Sequence, residues 1–248
     1  MKAFLLLGLL ALSAGVSGSQ TIPAGTILAV RLNNSLSSTK SKPGQQFTAR
    51  VMQSVPLPDG GVIRAGSKLL GHVILVNSSS ASQPAEIAFQ FDTLETSRSS
   101  VSLTVSLRAL ASFMEIEDAQ IPAMGADRGT SQAAYTTVQV GGEVVYRGGG
   151  PVMNGSEVVG QPVPGGVLVH LRANPGEGCR GALDGNDRPQ ALWLFSSDAC
   201  GAYGLPRLTI TRAGRTSPLG EIVLTSRARE LKLHGGTAML LRVISEGS

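Results

Sequence analysis

The sequence predicts an all-β protein: an antiparallel β-barrel or sandwich with an inserted, disulfide-bearing β portion. Three observations carry this. Glycine and proline, 31 and 13 of the 248 residues, fall at short intervals, as turn punctuation does. Between them lie short runs rich in Val, Ile, Leu and Thr. Several of these alternate strictly. "EIAFQFDTL" puts Ile87, Phe89 and Phe91 on one face, and "SVSLTVSLRAL" puts Val101, Leu103, Val105 and Leu107 opposite serine and threonine. Period two with a polar outer face marks an antiparallel sheet that is wet on one side. Regular spacing of such runs between turn signals marks a sandwich or barrel.

The chain opens with "MKAFLLLGLLALSAGVSGSQ", where Lys2 precedes an apolar run, Ala3–Leu12, and small residues follow. That is the pattern of a secretory signal, cut after Gly18 with Val16 and Gly18 as the small positions before the cut. An uncleaved anchor is the competing role, but the run is short for a bilayer, which takes ~20 residues. No cysteine stands near the cut, so a lipid anchor is not expected. No later run is long enough to cross a membrane, so the mature chain is expected to be periplasmic or extracellular, without a transmembrane segment.

The expected strands are Ile27–Leu32, Gln46–Gln53, Leu69–Asn77, Glu86–Leu94, Val101–Leu107, Val167–Arg172, Ala191–Phe195, Leu208–Arg212, Glu221–Thr225 and Ala238–Ile244. "LRALASFMEIED", Leu107–Asp118, is the best helical candidate and fits a strand equally well. Residues 19–118 read as a barrel-like portion. Residues 119–164, with "GGEVVYRGGGPVMNGSEVVGQPVPGG", read as a glycine-rich linker or excursion. Residues 165–228 read as the inserted β portion, and 229–248 as the strand that closes the first portion.

Three stretches share a form: "IPAGTILAVRL" from Ile22, "IRAGSKLLGHVI" from Ile63 and "LHGGTAMLLRVI" from Leu233. Each has an apolar residue, two spacers, glycine, a hydroxyl residue and then a strand. Glycine supplies a turn conformation closed to other residues, and the hydroxyl can bond local backbone. If the likeness is structural, the first and last strands pair and close one sheet.

The two cysteines, Cys179 and Cys200, are an even number in a chain with an export signal, which favours a disulfide. A loop of ~22 residues closed this way gains roughly 3 kcal/mol in the chain-entropy model. Two buried thiols are the other reading.

Composition argues against a nucleic-acid surface. The net charge is only +4, the basic residues are scattered, and aromatic residues are 4% of the chain. The sequence pI of 9.4 leaves a weak pull toward anionic surfaces.

The search for chemistry yields no catalytic, cofactor or metal residue. "GEGCRG", Gly176–Gly181, has dinucleotide-loop spacing, but "ALDGNDRP" follows where a helix must open. "LDGNDRP" offers Asp184, Asn186 and Asp187 as oxygen ligands without the closing glutamate of a calcium loop. His72, His170 and His234 stand in no metal-binding frame, and no G-x-S-x-G occurs. Glu115, Glu117 and Asp118 read as a solvated acidic edge. Trp193 has two readings: packing against the cysteine bridge, or a partner contact rimmed by Arg180 and Arg188, since Trp and Arg are typical interface anchors.

"IPAGTILAVRLNNSLSSTKSKPGQQFTARVMQSV", then "GGVIRAGSKLLGHVI", and finally "LHGGTAMLLRV" resemble the C-terminal β domain of TrbI/VirB10-like proteins, envelope components of bacterial type IV secretion systems. The likeness covers Ile22–Leu110 and Leu231–Ile244, under half of the chain. It implies a barrel-like fold and an envelope address. The family's N-terminal transmembrane helix, proline-rich linker and pore-forming helical hairpin have no counterpart here, so a channel role is not implied. The expected function is a non-catalytic exported envelope protein, a structural or protein-binding β module with an envelope protein as partner. The alternative is an exported hydrolase acting on cell-wall or polysaccharide material.

Overall fold

The computed structural model describes residues 22–97, 99–121, 136–146, 149–172 and 188–245; the expected signal segment, Cys179 and Arg180 lie outside them. The strands are β1 (Ile27–Leu32), β2 (Leu36–Ser37), β3 (Gln46–Val51), β4 (Val55–Pro56), β5 (Val62–Ile63), β6 (Lys68–Asn77) and β7 (Ala85–Glu95). Next come β8 (Ser100–Ser102), β9 (Thr104–Ala111), helix α1 (Phe113–Asp118), β10 (Thr136–Val138), β11 (Val144–Tyr146), β12 (Val152–Asn154) and β13 (Glu157–Val163). The chain continues with β14 (Gly166–Val169), β15 (Gln190–Ala191), β16 (Gly201–Tyr203), β17 (Leu208–Ala213), β18 (Ile222–Ser226), β19 (Lys232–Leu233) and β20 (Ala238–Ser245).

The expected all-β class holds, and the main sheet is a nearly closed barrel. Its strands run β16-β9-β20-β1-β3-β6-β7-β18-β17, with β8 beside β7. The end strands β16 and β17 approach each other, which brings the edges together. All pairs are antiparallel except β16 on β9.

The three similar stretches do share a structure, and they explain the closure. Gly25, Gly66 and Gly236 have φ of 86°, 91° and 95°. In each case the following hydroxyl residue closes a turn: Thr26 N to Pro23 O at 3.2 Å, Ser67 N to Arg64 O at 3.2 Å, Thr237 N to His234 O at 3.0 Å. The glycine N–H then reaches the neighbouring strand, at Val243 O, Val51 O and Leu32 O respectively. Those three residues donate back to Thr26, Ser67 and Thr237. The turn before β1 thus clamps β20, and the turn before β20 clamps β1. First and last strands pair from Ile27↔Arg242 to Arg31↔Ala238.

A fourth copy went unrecognised in the sequence. Gly44 (φ 78°) donates to Val73 O at 2.8 Å, Gln45 N closes on Lys42 O, and Val73 N returns to Gln45 O. So β3 and β6 are clamped at both ends as β1 and β20 are.

The barrel interior holds the first core. Leu28, Val30, Phe47, Ala49, Leu69, Phe89, Phe91, Leu107 and Met239 are among its buried residues. Phe47, Phe89 and Phe91 meet edge to face at centroid distances of 5.6, 5.2 and 6.0 Å, the arrangement aromatic quadrupoles favour. Gly71, opposite Phe47 in register, makes the room: a Cβ there would stand 2.7 Å from Phe47 Cζ.

The second core lies outside the barrel. A six-stranded sheet, β10-β11-β12-β13-β14-β15, contributes Val145, Val152, Val159, Val167 and Val169. They pack with Ile27, Ala29, Ala109, Ala111, Ala238 and Leu240 of β1, β9 and β20. Alanines on that barrel face let another layer approach closely. The expected wet outer face is therefore absent on these three strands, and β1 is buried on both sides. A bulge at Arg108 in β9 shifts the alternation, so Leu107 and Leu110 point inward while Ala109 and Ala111 point out.

Three expectations need correction. Residues 119–164 are not only linker, because β10, β11, β12 and β13 lie within them. Their strands are mostly three residues long, too short to display alternation. β17 and β18, placed by the sequence reading in the inserted portion, belong to the barrel through β18 on β7. The run Ala191–Phe195 is strand only at its start. Gln53, 2% exposed, inserts its side chain there, accepting from Trp193 N (2.6 Å) and Val167 N (3.2 Å) and donating to Val167 O (2.7 Å). One side-chain amide thus takes over the ladder. Leu107–Asp118 resolves into the end of β9 followed by α1, capped by Ser112 Oγ accepting from Glu115 N at 3.2 Å.

Candidate functional site

Trp193 is not a contact surface. It is 6% exposed, sits in the interlayer core and has φ 54°, a left-handed conformation uncommon outside glycine. Both its backbone groups are bonded, the N–H to Gln53 Oε1 and the carbonyl from Gln139 Nε2 at 3.3 Å. The partner-contact reading of Trp193 is overturned by burial. Arg188 is not part of a rim around it. Its guanidinium donates to Pro56 O (3.1 Å) and Thr26 Oγ1 (3.5 Å), tying β15 to the segment before β1. Cys200 N donates to the Tyr203 hydroxyl at 3.0 Å. Burial raises the Tyr203 phenol above its ordinary value, and Asp198 adds to the rise.

The polar side chains that do converge hold the two sheets together. Glu143 is 1% exposed. Its carboxylate accepts from Ser197 N (2.9 Å), Ser197 Oγ and Asn154 Nδ2 (3.0 Å). Asn154 Nδ2 also donates to Asp198 Oδ2 at 3.3 Å. Arg108, at the β9 bulge, donates to Ala199 O and Ser197 O, each at 3.1 Å. A buried carboxylate and a buried guanidinium thus grip the 196–200 turn from opposite layers. No sequence motif announced this group, because its members are scattered from residue 108 to 198.

The histidines do not meet. His72 Nδ1 lies 2.9 Å from Asp92 Oδ2 on the open outer face of the barrel, and Gln90 Nε2 donates to the other carboxylate oxygen at 2.8 Å. His170 lines a shallow cleft of ≈ 410 Å³ with Glu157 and Arg172, which pair at 3.3 Å. His234 lies at the α1 end. Among the described residues no three His, Cys, Asp or Glu side chains gather as metal ligands. Glu117 pairs with Arg31 at 3.2 Å. "GEGCRG" and Asp184, Asn186 and Asp187 lie outside the described residues.

One surface stands apart. The solvent side of the six-stranded sheet carries an apolar row across four neighbouring strands. Val138 faces Val144, Val144 faces Met153, and Met153 faces Val158, each a direct cross-strand pair. Val138 is 44% and Val158 62% exposed, and Tyr146, 39% exposed, stands on the same side of β11 as Val144. The alternate residues Val145, Val152 and Val159 are buried beneath. β10 ends this sheet, with no described strand on its other edge. A contiguous exposed apolar row beside a strand edge fits a protein surface, and its last member, Val158, also borders the shallow His170 cleft. Sequence reasoning missed it because the row runs across strands and no single segment contains two neighbouring members.

Among the described residues no helix is long and apolar enough to cross a membrane. No protein-family model matches the chain, and no curated protein matches it either.

Proposed function

We propose that the chain is a non-catalytic, exported envelope β module that holds another envelope protein against the solvent face of its six-stranded sheet. The observation that carries this is the row Val138–Val144–Met153–Val158, partly exposed at Val144 and Met153 and open at its ends, Val138 (44%) and Val158 (62%), among the described residues. Neighbouring β10 offers backbone groups at its edge, and strand addition to such an edge is a common mode of attachment. The signal-like N-terminus and the likeness to TrbI/VirB10-like β domains supply the export and envelope parts of the reading. A Cys179–Cys200 bridge belongs to the same proposal and would tie the connection between β14 and β15 to the start of β16.

The test is capture of partners from the native host's envelope by the mature chain and by the variant Val138→Asp/Val158→Asp. A specific envelope protein retained by the first and lost by the second supports the reading. Equal capture by both overturns it.

A further inference from the structure

The strand directions send one set of connections to a single end of the barrel. β1, β6, β9, β16 and β18 run the same way. The segments that follow them therefore emerge together: 33–45, 78–84, 112–121, 204–207 and 227–237. Six cationic side chains sit on these segments: Lys40, Lys42, Arg207, Arg227, Arg229 and Lys232. All six residues are exposed, and none is in an ion pair with another described residue.

Their arrangement is held by backbone. Lys232 pairs with Ser37 in the β19–β2 ladder. Arg207 and Arg227 stand one rung beyond the pair Leu208↔Ser226. Like charges brought opposite each other destabilise a sheet. Arg207 also has φ 73°, a strained conformation for a side chain of this kind. One exposed acid among these cations is Glu230, to which Ser37 Oγ (2.6 Å) and Thr39 Oγ1 (3.0 Å) already donate; Asp118 of α1 is exposed as well. The other acids of this end are Glu86, bonded by Asn77; Glu117, paired with Arg31; and Glu115, also on α1.

At the same end is a mainly apolar groove of ≈ 640 Å³ formed by Phe113 and Met114 of α1, by Leu205 and by the turn carrying His234, with Ser112 and Glu115 also in its wall. Phe113 is 39% and Met114 62% exposed. Leu205 precedes Arg207 by two residues, and Lys232 precedes His234 by two, so two of the six cations flank the groove lining in sequence. Exposed apolar side chains bordered by unpaired cations are what an anionic bilayer surface selects: the cations meet headgroup phosphates, and the apolar groups enter the acyl boundary.

We infer that the α1 end of the barrel docks on an anionic lipid surface, through Lys40, Lys42, Arg207, Arg227, Arg229 and Lys232 at the headgroups and Phe113 and Met114 at the acyl boundary. This face is separate from the row on the six-stranded sheet, so the two readings stand or fall independently.

The test is co-sedimentation of the mature chain with vesicles of phosphatidylcholine alone or mixed with phosphatidylglycerol. Binding is expected only to the mixed vesicles, with release as salt rises. Arg227→Glu/Arg229→Glu should lower the partition coefficient about tenfold or more. Met114→Ser should weaken binding with all the cations in place. Arg64→Glu/Arg215→Glu, the same charge change on turns at the opposite end of the barrel, should bind as the wild type does. Equal binding to phosphatidylcholine alone, no binding to the mixed vesicles, an equal loss in the Arg64/Arg215 control, or undiminished binding by Met114→Ser would each overturn the inference. So would full competition by soluble polyphosphate with no salt-resistant residue of binding, which would assign the face to a soluble polyanion.

Discussion

The amide of Trp193 donates to the side chain of Gln53 at 2.6 Å, across 140 positions of sequence. This contact joins the two sheets. Gln53 follows β3 of the barrel, and its carboxamide completes the ladder between β14 and the turn after β15. Gln53→Ala would leave the amides of Trp193 and Val167 buried without partners, and Val167 O with only the long bond from Leu192 N at 3.4 Å. The expected loss of stability is roughly 2–4 kcal/mol, since buried unsatisfied groups carry most of the penalty. Urea unfolding followed by fluorescence of the single tryptophan measures it, and emission should shift to the red as the indole gains water.

Gly71 and Gly44 should respond to alanine for different reasons. At Gly71 a methyl would press on Phe47 and on the backbone of Gln90. Overpacking of that kind costs about 1–3 kcal/mol. Gly44 has open space around it but a φ of 78°, so the expected loss is about 1 kcal/mol and comes from the backbone alone. Phe47→Leu should recover part of the loss in Gly71→Ala and none in Gly44→Ala, as a double-mutant cycle would show.

Much of the barrel was legible, and the reason is local. β1, β6 and β20 each announce themselves by a glycine turn with an apolar residue before it. The apolar residue is buried in all three cases: Ile22 at 1%, Ile63 at 0% and Leu233 at 0% exposure. The fourth turn, Ser41-Lys42-Pro43-Gly44-Gln45, makes the same backbone bonds, but buried Ser41 stands where the others have an apolar residue and Gln45 where they have Ser or Thr, so it lacks their signature. The six-stranded sheet was hidden because β10, β11 and β12 have three residues each, fewer than a period-two pattern needs. Trp193 misled for another reason. A lone Trp in a polar, cysteine-flanked stretch looks like an anchor, and nothing local shows that a glutamine far upstream draws its backbone inward.

Glu143 is expected to matter for fold rather than for turnover. Glu143→Ala strands the Ser197 amide and hydroxyl and one Asn154 proton, at a cost of roughly 2–4 kcal/mol. Hydrogen exchange should speed up at Ser197 and Ala199 before it does in the barrel core, since the 196–200 turn is what the carboxylate holds.

Glu230 sets a pH dependence whose sign is fixed. Hydrogen bonds from Ser37 and then Thr39 hold its carboxyl below the ordinary carboxylate value, with smaller help from Lys232 and Lys40. A depressed folded-state value stabilises the fold above the ordinary carboxylate range, and the contribution disappears as pH falls through the folded value. Wild type should therefore exceed Glu230→Gln in urea midpoint at neutral pH, and the two midpoints should converge on acidification below that range.

The most direct measurement of the central claim is photo-crosslinking in intact host cells, with the crosslinker placed in turn at Val158 and at Thr211 on the outer face of the barrel. A dominant adduct to one envelope protein from Val158, and none from Thr211, is the predicted result. Adducts of equal yield from both positions, or none from Val158, would contradict the assignment of the six-stranded sheet as the partner-binding face.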